Sequence, residues 1–247
     1  MQQYFVKGLA SSPVTIEDKE ISKHMFQVMR LKEDDEVTLV FDDGIKRLAR
    51  VVNVENRQLE LIEELVDNVE LPVQVTIASG FPKGDKLEFI TQKVTELGAS
   101  QIWAFPADWS VAKWDGKKLG KKVEKLEKIA LGAAEQSKRN LVPSITLFEK
   151  KADFLAQLEQ FDRIVVAYEE SAKEGEAAAL LQSLTGLEAG SKLLFIFGPE
   201  GGLSPAEIES FTVKGAILAG LGPRILRAET APLYALSAVS VVTELMN

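Results

Sequence analysis

Short stretches in which apolar and polar residues alternate dominate the first quarter of the chain. "QYFV" (3–6), "EVTLV" (36–40), "RLARVVNV" (47–54) and "QLELIEEL" (58–65) read as strands, with a turn at Asp42-Asp43-Gly44. Ile21, Met25 and Val28 recur at helical spacing and predict one helix over 17–29. This is the pattern of a small β-barrel-like module. The polar segment "VDNVELP" (66–72), closed by a proline, is its linker.

From residue 73 the period changes. "VQVTIAS" (73–79) is a strand, and Leu87, Ile90, Val94 and Leu97 mark one face of a helix over 84–97. After a strand at "IWAF" (102–105), Leu119, Val123, Leu126, Ala130, Ala133 and Ser137 line a long amphipathic helix over about 117–138. "RIVVAYE" (163–169), "KLLFIFG" (192–198) and "GAILAGLG" (215–222) are further strands, each followed by a helical segment, the last over about 232–246. Strands alternating with helices argue for a mostly parallel sheet, so the chain divides into 1–70 and 73–247.

Three strand ends run into unusual loops. "FGPEGGLSPAEIE" (197–209) pairs Ser204 with Glu207 as a capping box and sets Pro205 at the first helical position, leaving the glycines between strand and helix. "LGPRILRAETAP" (221–232) and "VAYEES" (166–171) also follow apolar strands. Ligands of open α/β sheets bind beyond the carboxyl ends of the strands, so these loops can converge on one ligand. Neither a phosphate-binding loop nor a dinucleotide fingerprint is present. Glu200 adds negative charge and Pro199 lacks an N–H, so the first loop is a poor phosphate cradle. A ligand with an aromatic ring and a positive centre suits it better.

Composition removes several classes of chemistry. There is no cysteine and a single histidine, His24, so thiolate metal sites, disulfides and serine–histidine triads are not expected. No metal is expected. No apolar run reaches the length of a membrane span, and the N-terminus lacks a secretory pattern. The expectation is a cytoplasmic protein.

The net charge of −8 conceals an island: residues 73–140 carry 12 basic and 8 acidic side chains, whereas both flanks are net acidic. Such an island is either a solvated helix face or the footprint of phosphate binding.

The stretches "FPKGDKLEFITQKVTELGA" (81–99), "ALGAAEQSKRNLVPSI" (130–145), "FGPEGGLSPAEIE" and "LGPRILRAETAPLYALSA" (221–238) resemble the RsmE family, bacterial uracil-N3 methyltransferases of small-subunit (16S) ribosomal RNA in the SPOUT class. "HMFQVMRLKEDDEV" (24–37) matches more loosely. The resemblance implies an N-terminal PUA-like barrel (1–70) and an α/β domain (73–247) with a trefoil knot over about 163–247. It also implies S-adenosylmethionine (SAM) held within the knot, a homodimer, and a substrate met as an assembled ribosomal particle. Carried over by motif, the cofactor site is Phe197, Gly198, Glu200, Gly201, Gly202, Leu218, Leu221, Gly222, Ile225 and Leu226, with Tyr168 and Glu169 as further candidates.

Arg224 and Arg227 are the candidates to stabilise charge on the uracil, and Glu229 or Glu200 to take a proton or orient an arginine. A salt bridge closing the loop is the competing role for Arg224, and holding loop amides is the role favoured for Glu200. Arg30, Lys83, Lys86, Lys93, Lys138 and Arg139 are the candidate RNA contacts, while packing or capping is expected of His24. Gln3 and Trp109 stand where the family pattern has arginines, each removing one phosphate contact. The rivals are an RNA-binding protein that kept the fold without activity, and a SPOUT enzyme methylating tRNA or a ribose hydroxyl.

Overall fold

The computed structural model describes residues 1–168 and 179–246. The chain forms two compact units. One is Met1–Glu70 together with Ala134–Leu141, and the other is Leu71–Ala133 together with Val142 onward.

The first unit is a five-stranded sheet in the order β1-β3-β4-β5-β2. Its strands are β1 (Gln3–Phe5), β2 (Val14–Thr15), β3 (Glu36–Val40), β4 (Lys46–Asn53) and β5 (Gln58–Leu65). β1 runs parallel to β3 and the other pairs are antiparallel, with two bulges between β4 and β5. Tyr4, Val37, Leu39, Ala49, Val51 and Leu59 face a common core with Ile16 and Met25.

The helix expected over 17–29 is in fact α1 (Lys19–Lys23) followed by a π-type turn, His24–Val28. Asp18 caps α1 by accepting from the amides of Glu20 and Ile21. The wider π turn carries Val28 off the stripe set by Ile21 and Met25: Met25 is buried and Val28 exposed.

Residues 134–141 complete this unit. The buried Arg139 pairs with Glu70, whose Oε1 also accepts from the Asn140 amide at 2.7 Å. Gln3 is buried too, donating from Nε2 to the Arg139 carbonyl at 2.7 Å. His24 packs edge-on against Tyr4, with the Tyr4 hydroxyl 3.0 Å from its Nδ1.

Beside Tyr4, burial pushes the Glu135 carboxyl up to about 7, against the opposing pull of the Phe5 amide and Lys138. The folded state therefore holds this proton more tightly than the unfolded chain, whose glutamate has the ordinary value of 4.5. Unfolding releases the proton between those two values, so stability falls as pH rises through that window, by at most ~1.4 kcal/mol per pH unit. Denaturant titrations from pH 4.5 to 8 should show this slope, and Glu135→Gln should flatten it.

The second unit is a six-stranded sheet in the order β11-β9-β10-β6-β7-β8, every pair parallel. Its elements are β6 (Gln74–Gly80), α2 (Lys86–Glu96), β7 (Gln101–Phe105), α3 (Gly116–Gln136), β8 (Ser144–Leu147), α4 (Lys151–Ala156), β9 (Arg163–Ala167), α5 (Ala179–Leu184), β10 (Lys192–Phe197), α6 (Pro205–Val213), β11 (Ile217–Ala219) and α7 (Ala231–Ser240). The last three residues of α3 belong to the first unit.

The apolar run of β10 is explained by burial on both faces. Leu193, Phe195 and Phe197 enter one core with Val75, Ile77, Ile90 and Val165, and Leu194 and Ile196 enter the other. That second core is aromatic: Phe105 stacks on Phe154 at 4.2 Å between ring centres, and Phe211 meets both edge-on.

β8 and α4 have no counterpart in the periodicity of the sequence, being four and six residues long. The strand expected over 215–222 is three residues long, flanked by the left-handed glycines Gly215 and Gly222. α3 stops where Lys138 takes a left-handed conformation, φ 61°. Among the described residues no helix is long and apolar enough to cross a membrane.

Candidate active site

β11, β9 and β10 are neighbours and parallel, so their carboxyl ends share one edge of the sheet. Ala219 lies opposite Ala167, and Val166 opposite Ile196. The loop after each strand therefore leaves from the same place. The Tyr168 amide donates to the Ala219 carbonyl at 3.0 Å, joining two of the exits. Glu169, the other candidate on that loop, lies outside the described residues.

The turn after β10 is closed by the Gly202 amide donating to the Pro199 carbonyl at 2.9 Å. A Cβ on Gly198 would lie 2.7 Å from the Gly202 carbonyl carbon, so the turn folds back on itself across a glycine. Gly80, at the end of β6, has the Pro199 ring where its own Cβ would stand, 2.5 Å from Cδ. The α6 end of the loop is anchored by the capping box, Ser204 N–H to Glu207 at 2.9 Å and Glu207 N–H to Ser204 Oγ at 3.2 Å.

One lysine joins this turn to the loop after β11. Lys86, at the start of α2, lies 2.9 Å from Glu200 Oε1 and 3.2 Å from Glu229 Oε2. Glu200 also accepts from the Lys83 amide at 3.1 Å. Burial acts to raise the Glu200 carboxyl, but Lys86 and the loop amides outweigh it and hold the group below the ordinary glutamate value. Glu229 is balanced in the same way, burial being outweighed by its own amide, Lys86 and Arg227. Hydrogen bonding to Glu200 in turn raises Lys86. The three groups form a charged clasp of one cation and two anions.

Arg227 stands at the rim, 83 % exposed, with Nη1 3.9 Å from Glu229 Oε1. Its carbonyl accepts from the amides of Thr230 and Ala231 at 2.9 and 3.0 Å, setting the backbone just ahead of α7. Arg224 is exposed on the same loop. Leu218, Leu221 and Leu226 are partly buried, Gly222 is left-handed at φ 85°, and Ile225 is 78 % exposed.

The expected RNA contacts are placed less uniformly. Lys83 is exposed in the second unit. Arg30 and Lys138 are exposed in the first unit, where the Lys138 ammonium donates to the Met1 carbonyl at 2.8 Å. Lys86 is committed to the clasp, and Lys93 pairs with Glu96 at 2.8 Å. Arg139 needs correction: its guanidinium is 2 % exposed and paired with Glu70, so it holds the first unit together and offers nothing to a phosphate. Sequence reasoning missed the joining role of Lys86, because 114 and 143 residues separate it from Glu200 and Glu229 and no local pattern links them.

Residues 69–240 match the RNA methyltransferase domain family, and residues 16–64 match the RNA methyltransferase PUA domain. The ribosomal RNA small subunit methyltransferase E of Bacillus subtilis is 46% identical over 100% of this chain and 99% of its own. The chain belongs to the ribosomal RNA small subunit methyltransferase E family. The family enzyme of Mycobacterium bovis is 29% identical, covering 93% of this chain and 87% of its own. A crystal structure of the family enzyme of Neisseria gonorrhoeae, bound to S-adenosyl methionine, superimposes with a TM-score of 0.81 at 25% identity, covering 98% of each chain.

Proposed function

We propose that the protein is a SAM-dependent methyltransferase acting on N3 of a uridine in small-subunit ribosomal RNA, its cofactor held by the loops after β10 and β11. The observation that carries the reading is the clasp. Two loops leave adjacent parallel strands, and Lys86 fixes them to each other through Glu200 and Glu229. The donor set fits the cofactor. Left-handed Gly202 and Gly222 form bends of the two loops, and Leu218, Leu221 and Leu226 are the partly buried apolar side chains assigned to the adenine ring. Phe197, the last residue of β10, is buried in the core. When bound, SAM supplies a methyl carbon activated by the sulfonium.

The remaining work falls to the chain. Uracil N3 carries a proton and becomes a strong nucleophile when that proton passes to solvent water, which leaves negative charge over N3 and its flanking carbonyl oxygens. Arg227, with Arg224 three residues before it, is assigned the role of stabilising that charge as it develops. Glu229 remains ionised near neutrality, because its carboxyl is held below the ordinary value. A carboxylate so depressed is a weak proton acceptor, so Glu229 serves to orient Arg227, and Glu200 serves as a strut of the clasp. N3 lies on the pairing edge of the base, so the target uridine must be unpaired or swung out of its stack. Arg30, Lys83 and Lys138 are the exposed cations assigned to the RNA backbone. The reading includes the trefoil knot over about 163–247, a cytoplasmic homodimer and a substrate met as an assembled particle.

The test is incubation with labelled SAM and undermethylated small subunits, followed by digestion of the RNA to nucleosides. Label is expected in 3-methyluridine. Label in any other nucleoside overturns the substrate assignment, and none at all overturns the enzymatic reading.

A further inference from the structure

Trp109 is unlike the other two tryptophans. Trp103 is buried in the aromatic core, and Trp114 packs on Phe81 with Lys122 over its ring. Trp109 is 49% exposed, on the loop after β7. Because the sheet is parallel, that loop leaves from the same edge as the glycine turn, and the residue sits on it. A Cβ built on Gly201 would stand 3.1 Å from Trp109 Cβ, and one on Gly202 would stand 4.0 Å from its Cζ3. One side of the residue thus rests on the turn assigned to the cofactor, while about half of its surface meets solvent.

The loop beneath it is firmly held. The Asp108 amide donates to Glu207 Oε1 at 2.9 Å, and Ser204 Oγ lies 2.5 Å from Asp108 Oδ2. Lys151 pairs with Asp108 and also reaches the buried Glu207 at 3.2 Å. Three polar side chains, drawn from two segments, therefore fix the residue immediately before the indole. Apolar surface of this size normally leaves water when a protein folds. Here the chain fixes it at the surface instead.

We propose that Trp109 is a stacking platform for a nucleobase of the RNA substrate, either the extruded uridine or a base beside it. The inference rests on the methyltransferase reading above. Extruding a base breaks its stacking, and an aromatic face next to the reacting centre restores it. Charge selects RNA over a protein surface as the occupant: residues 113–122, directly downstream, carry five lysines and one acid. Lys113, Lys117, Lys118 and Lys121, all exposed, offer cations to the backbone of a strand whose base reaches the indole, while Lys122 lies over Trp114. An arginine at this position would supply a phosphate contact or a planar cation. The indole gives up the charge for a larger stacking face.

The test compares wild type with Trp109→Phe and Trp109→Ala, the first retaining an aromatic ring on Gly201. Base–aromatic stacking removed by alanine corresponds to about tenfold in affinity. Trp109→Ala should therefore raise KM for undermethylated subunits roughly tenfold, with kcat and SAM affinity within about twofold. Trp109→Phe should recover most of that loss. A uridine-rich oligoribonucleotide should quench the tryptophan fluorescence of the wild type, whereas its abasic counterpart and the Trp109→Phe variant should give no quenching.

Unchanged KM in Trp109→Ala, or equal quenching by the abasic strand, overturns the stacking role even where the wild type methylates uridine. A drop in sedimenting mass in Trp109→Ala overturns it too, by assigning the indole to contact between protein copies. Quenching without methyl transfer by the wild type would leave the platform standing and remove the enzymatic reading.

Discussion

Arg227→Ala lowers kcat for methyl transfer by ~10²- to 10³-fold, the cost of removing one preorganised donor aimed at developing charge, and leaves SAM affinity within a few-fold. The separation of the two effects follows from where the side chain stands. The guanidinium is 83 % exposed and 3.9 Å from its nearest carboxylate, so truncating it disturbs no packing. The backbone contacts that shape the loop, from the amides of Thr230 and Ala231 to the Arg227 carbonyl, do not involve the side chain. The clasp through Lys86 remains closed on Glu229 Oε2. Arg227→Lys keeps a charge but loses the planar fork, and should fall between the two. Single-turnover kinetics alongside calorimetric SAM binding will check the split. Unchanged turnover in Arg227→Ala removes this residue from the mechanism.

Gly198→Ala gives the opposite split, losing the cofactor first. The new methyl group would lie 2.7 Å from the Gly202 carbonyl carbon and 2.9 Å from its Cα, both backbone atoms with no rotamer to change. The turn must open to admit it. Overpacking of this kind costs about 1–3 kcal/mol, and where the bound turn bears that cost it corresponds to as much as ~150-fold in affinity. The expected result is a protein that still folds, melts lower, and binds SAM on the order of 100-fold more weakly. Gly186→Ala is a control for glycine loss as such, being a left-handed position with nothing within 4 Å of the added atom. Equal SAM affinity in Gly198→Ala and wild type would show that the turn after β10 is not part of the cofactor site.

Local chemistry explains what could be read from the chain in advance. The capping box at Ser204 and Glu207 spans three residues, and its two hydrogen bonds are present. The seams of α2 and α3 were visible because a helix repeats its buried side every three to four residues. β10 was visible because burial on both faces leaves no polar position in Leu193–Phe197. Short or marginal elements escaped: β8 sits at the sheet edge with no fully buried residue, which weakens its pattern.

Distant pairings were the least legible. Lys86 reads as a cation on an amphipathic helix, and nothing near it announces two carboxylates from other loops. Arg139 follows Lys138 in the sequence and looks like its equal. Yet the chain turns through left-handed Lys138 and sends Arg139 inward to Glu70, leaving Lys138 outside. Gln3 is likewise turned inward to the Arg139 carbonyl. What a local motif cannot specify is which of two adjacent cations will be enclosed.

The sharing of Glu70 and Gln3 with Arg139 bears on how the protein is made. Sixty-nine residues separate Glu70 from Arg139, so the leading module cannot make this pair when its own strands leave the ribosome. At ~5–20 residues per second, synthesis of that interval takes roughly 3–14 s. During this time the nascent chain carries a strand module whose Glu70 lacks its arginine, and completion waits on a segment emerging after α3.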